Sequence, residues 1–265
     1  MSVVPLRIVP PQLLAVRRPT RLIERSYTVY RTQWWVFVTG FFEPMFYLLS
    51  MNVGFGPLVG EITADGVTYE YAEFVAPALM AVAAMNGAVF DSTVAIFFKL
   101  RQKIYDAMLA TPLTAADVAV GEIGWAVLRG VCYSFAFLVA MLVIGVVGSP
   151  MVVLAIPACA LIGCSFAAVG MALTSYLRSW KDFDYIISIT LPMMLFSGTF
   201  FPVSSYGNWG WVVYLSPLYH GVNLVRGFNV GVLEWEMLIN VGVLGALAVV
   251  GLVATARRIE GLLLT

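Results

Sequence analysis

Long apolar runs with no period-two alternation are separated by short segments in which the charged residues collect. Six runs approach the roughly 20 helical residues that cross a hydrocarbon core. They cover residues 33–53, 73–97, 118–147, 151–177, 184–201 and 234–256. Lipid offers no hydrogen-bond partner to the backbone, so runs of this kind are read as helices. The expected fold is an all-α polytopic membrane protein, one transmembrane domain over residues 1–265 with six spans. The third run is longer than a crossing needs, which permits tilt.

Three segments break the rhythm. Within residues 12–32, the stretch 20–32 reads TRLIERSYTVYRT, in which Leu22, Ile23, Tyr27 and Tyr30 oppose Arg21, Glu24, Arg25, Thr28 and Arg31. That pattern predicts a helix lying in the headgroup region. Residues 202–229 are too apolar for a water-exposed loop, yet Pro202, Gly207, Gly210 and Pro217 cut them into pieces too short to cross. A re-entrant pair is expected there, covered by protein or lining a water-filled cavity. Between the second and third runs, KLRQKIYDAMLATPLTAADVAVGE spans Lys99–Glu122. Leu100, Ile104 and Met108 recur every four residues while Lys99, Arg101, Lys103 and Asp106 point elsewhere, so a surface helix is expected over 99–110. Thr111-Pro112 stops it, and Thr114 with Asp117 has the spacing of a capping box that launches the next helix.

Composition sharpens this picture. Hydrophobic residues make up 61% of the 265 and charged residues 11%, against about 45–50% and about 25% in soluble domains. The formal net charge is zero, but the placement is lopsided. Six arginines precede residue 33; Lys99, Arg101 and Lys103, then Arg178 and Lys181, then Arg257 and Arg258 follow, so thirteen of the fifteen basic residues fall in alternate connections. The 54–72 segment carries only Glu61, Asp65 and Glu70. The positive-inside rule therefore expects both termini in the cytoplasm of a multi-pass protein of the plasma (inner) membrane. Arg17, Arg18, Arg21 and Arg25 interrupt the start, so the first span is expected to be retained rather than cleaved. Cys132, Cys159 and Cys164 lie in apolar runs and read as packing residues.

Ionisable groups inside spans each cost about 2.5–3.5 kcal/mol on insertion scales and need partners. Glu43 and Arg129 lie ten and eleven residues into their spans, roughly 15 Å deep at about 1.5 Å per residue, so they are able to pair. Asp91, at roughly 9 Å by the same rise, competes for Arg129. Such a cluster serves a proton relay or a substrate contact, or it is a buried ion pair that fixes packing; no chain of titratable groups continues outward, which favours packing. Glu122 sits on the same helical face two turns before Arg129 and is read as an anchor at the inner boundary. His220 is the only histidine, so no two-histidine zinc site exists, no metal is expected, and an interfacial hydrogen bond is its expected role. Met193, Met194, Phe196, Phe200 and Phe201 are candidates for a pathway lining or for plain packing, beside a helix opened by Pro192 and Gly198. Lys99, Lys103 and Lys181 all lack the Gly-rich approach of a phosphate-binding loop, so ATP hydrolysis by that route is not expected of this chain.

In their order and spacing, several short motifs resemble the permease subunits of type-2 ABC exporters. They are Glu43-Pro44, Phe74-Val-Ala-Pro77, Tyr105-Asp-Ala-Met-Leu-Ala-Thr-Pro-Leu113 with Asp117, Gly121-Glu122, Arg129-Gly130, Leu195-Phe-Ser-Gly-Thr-Phe-Phe-Pro202, Ser216-Pro-Leu-Tyr-His220 and Leu224-Val-Arg226. The chain is similar in particular to the branch of nodulation lipo-oligosaccharide and daunorubicin-type drug exporters. The resemblance implies an N-terminal interface helix, a coupling helix at 99–110, and outer re-entrant helices at 202–229 that include Pro217, His220 and Arg226. It also implies a separate ABC ATPase that binds ATP and Mg, a second permease copy as a homodimer, and contact with membrane lipid; no cofactor bound by this chain and no nucleic acid are expected. On that reading Lys99, Arg101, Lys103, Tyr105 and Asp106 contact the ATPase, with Met108 and Leu109 as apolar anchors. The cargo is an amphiphile, a glycolipid or a hydrophobic drug.

Three rivals stand beside it. An ion-coupled secondary transporter would use Glu43, Asp91 and Arg129. A membrane enzyme acting on lipid-linked sugars is weakened by the single histidine and the lack of clustered carboxylates on an aqueous face. A non-transporting scaffold would have no continuous pathway.

Overall fold

The computed structural model describes residues 11–32, 35–64, 67–111 and 113–263. Helix α1 (Pro11–Thr32) is followed by α2 (Trp35–Ser50), a π-helical turn at Met51–Phe55 and the short α3 (Gly56–Val59). An antiparallel hairpin, β1 (Glu61–Ala64) and β2 (Val67–Glu70), follows in the register Ile62↔Tyr69 and Thr63↔Thr68. Helix α4 (Tyr71–Phe90) runs through a π turn at Asp91–Ala95 into α5 (Ile96–Arg101), and α6 (Ile104–Leu109) and α7 (Ala115–Ile144) come next. Then come α8 (Ala155–Thr174), α9 (Phe183–Leu195), α10 (Gly210–Leu215), α11 (Pro217–Val230) and α12 (Glu236–Leu263).

Four helices among the described residues are long and apolar enough to cross a membrane: Tyr71–Arg101, Ala115–Ile144, Pro150–Thr174 and Glu236–Arg258. The first run is helical through α2, the π turn and α3, from Trp35 to Val59, and among the described residues its apolar helix is Met45–Val59. One expected span comes out differently. The fifth, expected over 184–201, is helical for only 13 residues in α9, about 20 Å at 1.5 Å per residue. It stops because Phe196 leaves helical geometry and Gly198 takes a positive φ of 69°, a conformation that glycine adopts without steric cost.

The rod from Tyr71 to Arg101 is the structural centre. Its capping box sets Glu70 against Glu73, and its small residues, Ala76, Ala78, Ala81, Ala84 and Ala88, are all buried. Small side chains let helix backbones approach closely. A Cβ on Gly130 would stand 3.1 Å from the Ala84 carbonyl oxygen, so α7 crosses α4 where that glycine permits it. Hydroxyls fasten α12 to α8: Ser165 donates to the Leu244 carbonyl at 2.7 Å and Thr255 to the Ala168 carbonyl at 3.1 Å.

Sequence reading treated 54–72 as a plain acidic loop and missed the hairpin. The Asp65-Gly66 pair between alternating residues is the signal that announces one.

Candidate functional site

Two neighbouring regions hold many of the candidate residues: an elbow at the end of α5 and a cavity behind it. The expected helix over 99–110 is split. Lys99 and Arg101 belong to the end of the long rod, Lys103 takes a φ of 55°, and α6 starts afresh at Ile104. A left-handed residue cannot continue a helix, which is why the four-residue periodicity does not become one element.

Lys99 is turned inward, its Nζ donating to Glu122 Oε2 at 2.5 Å, with side-chain exposures of 18% and 5%. Tyr105, expected on the partner-facing side, is 1% exposed and packs among Leu22, Ile96, Val118 and Ile123. Burial and the nearby Glu122 carboxylate push its phenol well above the usual range. Both residues thus hold the elbow against α7 instead of facing out. Arg101, Gln102 and Lys103 are exposed at the tip. The side chains of Asp106 and Leu109 lie outside the described residues.

Beyond α6, Thr111 donates to the Met108 carbonyl. Thr114 and Asp117 cap α7 reciprocally, the backbone N–H of Asp117 reaching Thr114 Oγ1 at 3.1 Å and that of Thr114 reaching Asp117 Oδ2 at 2.9 Å. Helix α1 lies alongside. Arg25 points Nη1 at Met108 Sδ, 4.0 Å away, and a groove of about 400 Å³ runs between Arg21, Leu22 and Arg25 on one side and Ile104, Met108 and Leu113 on the other.

Two turns inward from Glu122, Arg129 forms an ion pair with Asp91 through Nη1 and Oδ1; both side chains are 3% exposed. Its Nε donates to Tyr133 Oη at 2.8 Å, and Tyr30 Oη donates to Asp91 Oδ1 at 3.1 Å. The guanidinium also lies over the Tyr30, Phe90 and Tyr133 rings at 5.3 to 5.5 Å. Of the two partners open to Arg129 from the sequence, Asp91 is paired with it; the side chain of Glu43 lies outside the described residues. Sequence reading missed Tyr30 and Tyr133. The four-residue step from Arg129 to Tyr133 is the signal, since it puts both on one helical face.

Arg129 and Tyr133 also wall a cavity of about 700 Å³ lined by α4, α7 and α9, with Tyr47 of α2. Of the five residues expected along a pathway, only Met194 reaches it. Met193 packs on the core and Phe200 is buried in it. Phe196 lies tilted beside Tyr206 at 5.7 Å between centroids, and Phe201 is 53% exposed. The end of α9 at Leu195 takes the later residues off the helical stripe.

At the far end of the rod, Arg226 donates to the carbonyls of Gly198 at 2.9 Å and Phe74 at 3.2 Å, and sits 3.9 Å from the Phe74 ring centroid. Pro217 opens α11 at its first turn, the position where a missing N–H costs nothing. His220 lies within hydrogen-bond reach of Asn240 Oδ1 through Nδ1 at 2.7 Å and of the Tyr214 carbonyl through Nε2 at 3.2 Å.

Residues 20–228 match the ABC-2 type transporter family. The chain is 31% identical to Nodulation protein J of Rhizobium leguminosarum bv. viciae, over 81% of this chain and 83% of that one. It is 29% identical to Nodulation protein J of Rhizobium meliloti (strain 1021), over 78% and 79%. With Nodulation protein J of Sinorhizobium fredii (strain NBRC 101917 / NGR234) the identity is 31%, over 69% and 70%. No solved structure gives a significant match. The chain belongs to the ABC-2 type transporter family.

Proposed function

We propose, from that membership, that the chain is the six-span permease subunit of an ATP-driven exporter in the plasma membrane, with both termini in the cytoplasm. A separate ABC ATPase supplies ATP hydrolysis. Two copies enclose the pathway, and the cargo is an amphiphile, a glycolipid or a hydrophobic drug. The observation that carries the reading is the elbow. Arg101, Gln102 and Lys103 stand exposed at the tip of a 31-residue helix whose spanning window is 78% buried, and a chain with no phosphate-binding loop needs its energy from outside.

A push on that tip is carried inward by a stiff rod. Lys99–Glu122 and Asp91–Arg129 tie the rod to α7 at two successive levels, so α7 and the cavity wall follow it. Nucleotide binding in the ATPase moves the elbow, and the two permeases switch access toward the outside. Residues 202–229 form the outer re-entrant pair, held to the rod through Arg226.

Charge reversal at Arg101 and Lys103 tests the assignment. In liposomes holding the permease and its ATPase, the double variant is expected to fold and insert normally and to lose ATP-driven transport. Full transport by that variant removes the docking role of the tip.

A further inference from the structure

Where α1 rests on α7 fixes the depth of its arginines. Leu22 fills the space over Gly121, where a Cβ would meet its Cδ1 at 2.7 Å, and Ile23 lies over Gly124, at 3.1 Å by the same measure. Farther along, the ring centroids of Tyr30 and Trp125 stand 5.2 Å apart. Arg25 therefore falls between the levels of Gly121 and Trp125, the level of the Lys99–Glu122 pair. Helix α7 has 30 residues, about 45 Å at 1.5 Å per residue, against a hydrocarbon core of about 30 Å. No charged residue occurs from Gly130 to Ile144, so the surplus of about 15 Å belongs to the elbow end and the hydrocarbon boundary falls near Gly124. Arg25 stands at headgroup depth.

The groove of about 400 Å³ between α1 and α6 opens there, with Leu22, Ile104, Met108 and Leu113 as its apolar lining and Arg21 and Arg25 as its charged edge. Both arginines are exposed. Arg21 shares its charge with Glu24 at 2.8 Å in an exposed pair, of a kind that holds weakly in water. Arg25 forms no ion pair among the described residues; its hydrogen-bond contact there is the Met108 thioether, 4.0 Å away. A thioether is a weak acceptor and leaves the guanidinium charge unbalanced. What marks Arg25 is this set of contacts and not a charge sum, since Asp106 of α6 has its side chain outside the described residues. A guanidinium fork beside an apolar trough at headgroup depth matches a ligand with a phosphate at one end and hydrocarbon at the other. An acidic protein segment would bring the charge without the hydrocarbon.

We propose that this groove holds a resident anionic phospholipid of the adjoining leaflet, its phosphate on Arg25 with Arg21 alongside, and its glycerol and first methylenes over Leu22, Ile104 and Met108. The lipid bridges α1 and α6 and so braces the elbow from outside. A net-anionic headgroup is preferred to a zwitterionic one, whose own cation would be brought up to two guanidinium groups. The lipid is a fixture and not cargo. Its binding goes beyond the exporter reading: it needs the chain to sit in a membrane, but neither an ATPase nor a transport cycle.

The test titrates the full chain in detergent with phosphatidylglycerol and with phosphatidylcholine of the same acyl chains, and counts bound lipid by native mass spectrometry. The first phosphatidylglycerol is expected to bind at least about tenfold more tightly than the first phosphatidylcholine, about 1.4 kcal/mol. Arg25→Gln should bring the two lipids to within about threefold of one another. Ala107→Trp, which fills the groove with Arg25 still present, should do the same and serves as the second probe should the first variant not fold. Arg31→Gln removes an exposed arginine of the same helix outside the groove and should leave the preference intact. Equal affinity for the two lipids in the parent, or an equal loss in Arg31→Gln, reduces the site to diffuse attraction by a basic helix and overturns the proposal. Displacement of the lipid by inorganic phosphate at millimolar concentration overturns it too, marking a phosphate site without a lipid. An unchanged lipid preference in Arg25→Gln, together with lost binding of the ATPase, would give the groove to the partner protein instead.

Discussion

The rod from Tyr71 to Arg101 is fastened at both ends by an arginine, and the two fastenings differ in kind. At the elbow end Arg129 meets a carboxylate, Asp91, with both side chains 3% exposed. At the other end Arg226 meets backbone carbonyls of Phe74 and Gly198 and the face of an aromatic ring. These are also the two basic residues that fall outside the basic connections. A buried ion pair is steep: remove one member and the other is left charged in a low-dielectric site. A bond from a cation to carbonyls is gentler, because its loss strands no opposite charge. The end beside the elbow therefore has a joint that holds strongly or fails outright, while the end beside the re-entrant helices has one that gives in small steps.

The largest effect expected is at the steep joint. Arg129→Leu leaves Asp91 unpaired and should destabilise the fold by about 3–5 kcal/mol, read as lost folded yield and a lower thermal midpoint in detergent. Adding Asp91→Leu should recover most of that loss. Normal folded yield of the single variant with lost transport would turn the joint from a packing device into a part of the transport chemistry. Arg226→Met should cost less, about 1.5–3 kcal/mol for hydrogen bonds from a charged donor, by the same thermal measurement. An equal loss at both ends would erase the contrast. Thr114→Ala removes one half of the α7 capping box and should cost about 1 kcal/mol, with Thr114→Ser close to the parent.

The smallest effect concerns Asp182. The backbone N–H groups of Ser179 and Arg178 hold its carboxylate, at 2.9 and 2.7 Å, and draw its pKa below the usual range. A depressed carboxylate contributes stability above its unfolded pKa and loses it as pH falls through the folded value. The local turn should thus loosen only in acid, below the ordinary carboxylate range. Hydrogen exchange at Ser179 against pH should show that step in the parent and none in Asp182→Asn.

How much of this was legible in sequence follows from geometry. Position along a helix is periodic, so the runs at 73–97, 118–147, 151–177 and 234–256 lie within a few residues of the four long apolar helices, and the Thr114 cap lies where its spacing put it. Azimuth between helices is not periodic. The depth estimate left Asp91 and Glu43 both open to Arg129, and it is packing that brings Asp91 to it. The inward turn of Tyr105 depends on the break at Lys103, a non-glycine residue in a conformation that composition does not announce. Asn86 and Phe90 of α4 line the cavity together with Thr93 of the π turn, but nothing in their spacing says that α9 stands opposite with a cavity between.

The central claim is that the chain moves its cargo by movement borrowed from an ATPase. Liposomes containing the purified chain are given an amphiphilic cargo under an imposed proton or sodium gradient, and parallel liposomes also receive the partner ATPase with Mg-ATP. Transport is predicted only in the second set, dependent on ATP hydrolysis and indifferent to collapse of the gradient. Gradient-driven transport by the chain alone would contradict the account and make it an ion-coupled carrier built around Glu43, Asp91 and Arg129.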